Sequence, residues 1–286
     1  GGFCRCSGTW QSGANTPRRR YSGWRCCSHN STAPAWNWQA DWQKSSSVIT
    51  RAPESISQSK EHYTKAFEGS VDRASERYPE LPYHHPGHMK DVMEAVGELV
   101  ELLPSDSYPH VITPWQKDLL VLAAAWHDAG FDDDKARAYP TKEDYAIALM
   151  KEDIKSNKID LTNHDIAFLD RAIRGTIMVP ALKQRDTPEA KLLHHADMAY
   201  MTADWETFWR GAEAFHDEEH PDMSWEKFQK FEADFLPKYT ESLKNDFQSL
   251  GIAEDEIQKR LDTLESHLKR IMEMSNPWCG PAKLSL

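Results

Sequence analysis

An all-α fold is expected from three observations. Apolar residues recur at helical spacing through most of residues 53–286, helix-start residues stand ahead of those repeats, and no alternating apolar–polar run is long enough for a confident strand. Internal repeats are absent from the sequence.

Each element follows in order. Residues 54–77 read as a mostly polar helix stopped before Pro79. A second helix runs from Pro86 to Leu103 and ends at Pro104, with Val92, Val96, Leu99 and Leu103 on one face. His88 and His84 continue that face backwards at intervals of four, so both should point inward. The third has the strongest start signal. Thr113 is the N-cap, Pro114 takes the first helical position and Gln116 completes a capping box. Its body, Leu119 to Trp126, is apolar on all sides, which marks a central buried helix. It runs into His127-Asp128 and stops at Gly130.

A fourth helix starts at Thr141 and carries Ala146, Ile147, Met150 and Ile154 inside; a fifth starts near Thr162 with Ile166, Leu169 and Ile173. Thr187-Pro188 caps a sixth, which carries Leu192, Leu193, Ala196 and Tyr200. Two long helices follow. Residues 224–249 carry Trp225, Phe228, Phe231 and Phe235, with a kink expected at Pro237. Residues 253–275 carry Ile257, Leu261, Leu264, Leu268 and Ile271 in a stripe about two heptads long. Packing within the chain and a homodimer seam both fit that stripe.

The net charge of −11 hides a division near residue 52. Residues 1–52 hold seven basic residues and one acid, a net of +6, and residues 53–286 carry −17. One folded unit of about 230 residues is therefore expected behind a disordered or targeting leader. The leader is rich in Arg and Ser and poor in acids, like an organelle transit peptide, but Trp10, Trp24, Trp36, Trp38 and Trp42 are foreign to that pattern. Its Cys4, Cys6, Cys26, Cys27 and His29 lack the paired spacing of a zinc module. The chain opens on Gly, which leaves a processed protein and a piece of a longer one both open.

Composition excludes several functions. No stretch approaches the roughly 20 apolar residues of a membrane span. The acidic body opposes nonspecific nucleic-acid binding, which needs a basic face. Outside the leader Cys279 is the only cysteine, which fits a reducing compartment such as the cytoplasm.

Ionisable residues at the ends of apolar helices are the feature that points to chemistry. Asp128 closes the most apolar helix, where a bare charge is costly unless a cation or hydrogen bonds offset it. His88 lies on an inward face, and Asp197 follows Leu193 by one turn. Two imidazoles and two carboxylates from three helices suit Zn, Mn, Fe or Mg, with positions left for water. A second pair, His216-Asp217, stands in a polar stretch and reads as solvated surface.

Three segments then resemble one superfamily. Tyr83-His84-His85-Pro86-Gly87-His88-Met89-Lys90-Asp91-Val92 is similar to the Y-H-N-x-x-H-x-x-D-V segment of HD-domain metal-dependent phosphohydrolases and cyclic-nucleotide phosphodiesterases. The run from Ala123 to Phe131 resembles the His-Asp motif that names the superfamily, and His195-Ala196-Asp197-Met198 resembles its last metal Asp. The resemblance spans about residues 60–205 and implies an HD-type helical bundle there, with added C-terminal helices over 206–286.

The resemblance implies His88, His127, Asp128 and Asp197 as ligands of a divalent metal (Mn, Mg, Zn or Fe), with Asp128 bridging a second ion if one binds. It implies His84 as proton donor to the leaving group and Tyr83 packed behind the ligands. His85 stands where the pattern usually has Asn. Glu143, in a segment loosely like another of the superfamily's motifs, either orients the attacking water or serves as a favourable acid in a helix's first turn. Lys142 and Arg174 are candidate phosphate clamps for a substrate, with plain surface solvation as the alternative.

The implied activity is hydrolysis of a nucleotide or other small phosphoester by metal-activated water. Two alternatives stand beside it. One is an HD-type di-iron oxygenase, which would need two further histidines, for which His164, His194 and His195 are poorly spaced. The other is a regulatory or binding module without turnover.

Overall fold

The computed structural model describes residues 54–104, 112–178 and 185–274, with the side chains of 54–63 left out. The leader with its cysteines, its boundary near residue 52, and Cys279 lie outside the described residues. Among the described residues there are helices and no strand, as expected. They are α1 (Glu54–Ser75), α2 (Pro86–Glu101), α3 (Pro114–Trp126), α4 (Lys142–Ser156), α5 (Asn163–Arg174), α6 (Pro188–Asp197), α7 (Trp205–Glu219), α8 (Trp225–Leu250) and α9 (Glu254–Met274). Short 3-10 turns cover Asp134–Ala138 and Ala199–Thr202.

The apolar α3 is the hub. Leu119, Leu120 and Leu122 to Trp126 are all buried, and α1, α2, α4, α5 and α6 pack around the helix. Each fully buried Leu contributes roughly 2 kcal/mol from water exclusion. The capping box forms as expected: Gln116 N–H donates to Thr113 Oγ1 at 3.2 Å and Thr113 N–H to Gln116 Oε1 at 2.9 Å. A buried polar anchor ties α1 to α3 and α4. Asp153 accepts from Ser70 Oγ at 2.6 Å and from Arg73 Nη2 at 3.0 Å, and Trp126 Nε1 donates to Ser70 Oγ at 3.1 Å. The end of α3 is thereby held where His127 and Asp128 leave it.

Several expectations change. Helix α7 replaces the expected polar surface stretch. Its buried positions are Phe208, Ala212 and His216, and the last is an imidazole, so the stripe hides behind a titratable residue. His216 Nε2–H donates to Met223 O at 2.8 Å and its ring stacks on Trp225 at 4.1 Å, which corrects the reading of His216 as solvated surface. Tyr200 leaves α6 and sits in the 199–202 turn. Thr187 occupies the N-cap of α6 without a side-chain cap hydrogen bond. Helix α8 is continuous through Pro237.

The stripe on α9 is spent inside the chain: Ile257, Leu264 and Ile271 are buried, and α9 packs on α8 and the 199–202 turn. Among the described residues no helix is long and apolar enough to cross a membrane.

Candidate metal centre

Four side chains converge from three places in the chain. His88 comes from the first turn of α2, His127 and Asp128 from the turn that closes α3, and Asp197 from the last position of α6. One donor atom from each lies within 4.8 Å of the others. Asp128 Oδ2 is central, 2.8 Å from His127 Nε2 and 3.5 Å from His88 Nε2; Asp197 Oδ1 lies 3.2 Å from His88 Nε2 and 3.4 Å from His127 Nε2.

Local chemistry aims these groups. A carbonyl oxygen only accepts, so the 2.7 Å contact of His127 Nδ1 with Ala124 O places the ring proton on Nδ1. Nε2 then faces the carboxylates and, on giving up its proton, offers the lone pair that a metal ligand needs. That Nε2 is fully buried and makes no hydrogen bond; its approach to Asp128 is off a hydrogen-bond axis. A buried polar atom without a partner is costly, and a cation at this point would satisfy it. Gly130, at φ +76°, turns the chain away after the pair, and its N–H donates to Arg77 O at 2.9 Å. His85 caps α2, its Nδ1 accepting Gly87 N–H at 3.0 Å, so the imidazole does the acceptor work of the expected Asn.

The imidazoles and carboxylates of the cluster shift one another's titration. Burial pulls His88 down, but Asp128 and Asp197 outweigh it and hold the imidazole up at about 8. Burial likewise opposes a charged His127, and the same carboxylates push it well above the ordinary range. Burial would raise Asp128 and Asp197, but the neighbouring histidines hold both carboxyls below their usual range. Protons on the imidazoles thus neutralise the carboxylates, a role that a cation at this cluster would take over.

His84 stands at the edge of this cluster, its Nε2 3.8 Å from Asp128 Oδ2. The other ring nitrogen is held by Glu218 at the end of α7. Oε1 takes Nδ1 at 2.5 Å, while Oε2 accepts the N–H groups of Tyr83 at 2.8 Å and His84 at 3.0 Å. Burial pushes Glu218 up, but the bond from His84 and these backbone donors hold it below its ordinary value. The proton of His84 therefore sits on Nδ1, and Nε2 faces the cluster. Phe131 stacks on the same imidazole with centroids 3.6 Å apart. Lys142 Nζ lies 3.1 Å from the Phe131 centroid, so the ring is sandwiched between imidazole and ammonium.

No family model matches the sequence, and no curated protein matches it. Solved structures do. The phosphodiesterase domain of the Salpingoeca rosetta rhodopsin phosphodiesterase aligns with a TM-score of 0.57 at 17% identity, covering 75% of this chain and 82% of that one. The fold is that of phosphodiesterase domains. The phosphodiesterase domain of the RhoPDE fusion protein from the same choanoflagellate aligns with a TM-score of 0.57 at 16% identity, over 80% of this chain and 94% of that one. LmjPDEB1, solved in complex with IBMX, aligns with a TM-score of 0.51 at 18% identity, over 74% and 84%.

The remaining candidate residues fall in two places. Glu143, in the first turn of α4, is partly buried; burial raises its carboxyl, and the charges of Asp128 and Asp197 raise it further. Lys142 lies beside the site over Phe131, with Glu219 3.8 Å from its ammonium. Arg174 ion-pairs with Asp144 at 2.5 Å and lines a groove of about 500 Å³ with Tyr139, Thr141, Lys151 and Ile177. His164, His194 and His195 do not join the cluster of four; His195 instead pairs with Asp246 at 3.1 Å.

Glu218 is the group that sequence reasoning missed. It is 134 positions from His84, and an acid in a polar run carries no sign of burial; here its side chain is 5% exposed. Spacing offered one usable signal, since a helix over Trp205–Glu219 puts Phe208, Ala212 and Phe215 near one face.

Proposed function

We propose that this protein is a metal-dependent phosphoester hydrolase acting on a nucleotide or another small phosphoester. The observation that carries the reading is the buried set His88, His127, Asp128 and Asp197, with His127 Nε2 turned into it and left without a hydrogen bond. The fold shared with phosphodiesterase domains supports the same chemistry.

These four residues would hold the ion. A bound divalent cation supplies charge for the phosphoryl oxygens and lowers the pKa of water. The chain's own residues do the rest. His84, its Nδ1–H held by Glu218, presents Nε2 toward the reacting side, and in its doubly protonated form it would pass the Nε2 proton to the departing oxygen and keep the one on Nδ1. Glu143, in the first turn of α4 and within electrostatic range of Asp128 and Asp197, would accept a hydrogen bond from the attacking water. Phe131 covers one face of His84, which excludes water from the proton donor and fixes the ring plane. Lys142 can leave the Phe131 face to meet a phosphate oxygen, since its side chain is about half exposed.

The test is a phosphoester panel of cyclic nucleotides, nucleotide monoesters and small aryl phosphates, run on the full chain with Mn²⁺, Mg²⁺, Zn²⁺ and Fe²⁺ in turn. Turnover that needs a divalent ion and vanishes in His127→Ala supports the reading. Metal binding with no turnover across the panel would make the protein a regulatory module. Two bound irons with oxygen consumption would make it an oxygenase.

A further inference from the structure

Tyr78 is a buried phenol to which the hydrolytic chemistry gives no task. It stands just past the end of α1, where Arg77 N–H donates to Ala74 O at 2.9 Å and Tyr78 N–H to Ser75 O at 3.2 Å, so the backbone keeps winding beyond the helix. Its ring belongs to the main apolar core. A hydroxyl carried into such a core is costly unless it finds hydrogen-bond partners there.

The partners are two successive members of the ligand set. The Nδ1–H of His127, whose nearer acceptor is Ala124 O at 2.7 Å, also reaches Tyr78 Oη at 3.2 Å. The backbone N–H of Asp128 donates to the same oxygen in a longer bond of 3.4 Å. A hydroxyl oxygen has two acceptor lone pairs, and the His-Asp pair meets both. The two rings are tilted by 59° with centroids 6.3 Å apart, so the hydroxyl and not the ring face makes the contact. The residue before it grips the far side of the same turn, Gly130 N–H donating to Arg77 O at 2.9 Å. Residues 77 and 78 thus hold the 127–130 turn at three points. They are fixed in turn by α1, which Ser70 and Arg73 anchor to Asp153 and Trp126. Packing does not call for the hydroxyl, since a phenylalanine ring would fill nearly the same volume.

We propose that Tyr78 is a positioning residue for the metal centre, its hydroxyl oxygen fixing the His127 ring and the Asp128 backbone relative to each other. Ala124 O touches the imidazole alone and sets which nitrogen carries the proton. Tyr78 Oη is the atom that joins that ring to the backbone of the next ligand. A second acceptor on Nδ1–H also leaves more electron density on Nε2, which makes that nitrogen a better donor to a cation. The proposal rests on the metal-site reading of His88, His127, Asp128 and Asp197, and not on the substrate.

The experiment titrates the full chain with Co²⁺ alone, for the parent, Tyr78→Phe, Tyr78→Leu and Ser70→Ala. Calorimetry reads affinity, the visible absorption of the bound ion reads ligand geometry, and thermal melts of the chelated proteins read the fold. Tyr78→Phe should bind Co²⁺ about tenfold more weakly, the lower end of what groups supporting metal ligands contribute, because Ala124 O stays on Nδ1. Its bound Co²⁺ should absorb at shifted wavelengths, since Nε2 and the Asp128 carboxylate no longer approach at the parent's angle. Tyr78→Leu, also without a hydroxyl, should repeat both changes in a second packing. Ser70→Ala loosens α1 without touching the pair, so it should melt earlier and keep the parent's affinity and spectrum. Parent affinity or a parent spectrum in Tyr78→Phe would overturn the proposal. So would Ser70→Ala sharing both changes, or both Tyr78 variants failing to fold, either of which makes the phenol a core residue only. A parent that binds no Co²⁺ removes the metal-site reading itself.

Discussion

Glu218 holds His84 by three contacts at once: Oε1 on the imidazole Nδ1, and Oε2 on the backbone N–H groups of Tyr83 and His84. Ring tautomer and loop position are therefore set by one carboxylate delivered from the C-terminal part of the chain. Glu218→Gln keeps an oxygen for the backbone donors but replaces the charged partner of Nδ1. We expect kcat to fall about 100-fold, in the range of positioned proton transfer, with KM and bound metal nearly unchanged. Steady-state kinetics with elemental analysis check this; an unchanged kcat would remove His84 as the proton donor or Glu218 as its holder.

The ligand set predicts a coupling between metal and stability. Asp128 and Asp197 are both held close to the same imidazoles, so an ion that binds the folded chain only should raise the melting temperature. At a hundredfold excess over Kd the gain is about 2.7 kcal/mol. Chelation should reverse it. His127→Ala and Asp128→Ala should abolish the metal-dependent shift while leaving helix content close to the parent's.

Glu232 predicts a pH dependence of stability in the chelated protein. Its folded value of about 7 lies above its ordinary 4.5, so the unfolded chain releases this proton first as pH rises. Stability should fall between pH 4.5 and 7 and stay level above. Glu232→Gln should remove that fall, with a gain over the parent of about 3 kcal/mol at pH 8 and little at pH 4.5. Urea melts at the two pH values measure it, and an equal gain at both would contradict the assignment.

Gly175 predicts a steric limit. It closes α5, where a Cβ would come within 2.3 Å of Ala190 O on α6, and backbone cannot move aside as a side chain can. Gly175→Ala should destabilise the fold by about 1–3 kcal/mol, the usual range for overpacking. Because α6 carries Asp197, the variant should also weaken metal binding, which calorimetry would read alongside the melt.

Helix α3 and its His-Asp end were legible because each signal is local. A capping Thr, a Pro at the first helical position and an apolar run act over a few residues, and the structure keeps all of them. The candidate ligands were legible in part for a related reason: a charge at the end of an apolar helix has to be compensated, which singles out Asp128, and the resemblance of three segments to one superfamily supplied the full set. Helix α7 was obscured because its buried side includes His216, which carries no apolar signature until Trp225 and Met223 close over it.

What the sequence determined by itself is the helical class, the central helix and the four candidate ligands, since local propensity, capping and the cost of burying charge all act along the chain. Only the tertiary structure decided which acids of the C-terminal helices are buried. Glu218 and Glu232 sit in α7 and α8 among many similar carboxylates, and a solvated Glu and a buried one are the same letter. Their states arise from packing between elements far apart in the chain, where removal of water turns an ordinary surface residue into a partner for His84 or a buried carboxyl without a hydrogen bond.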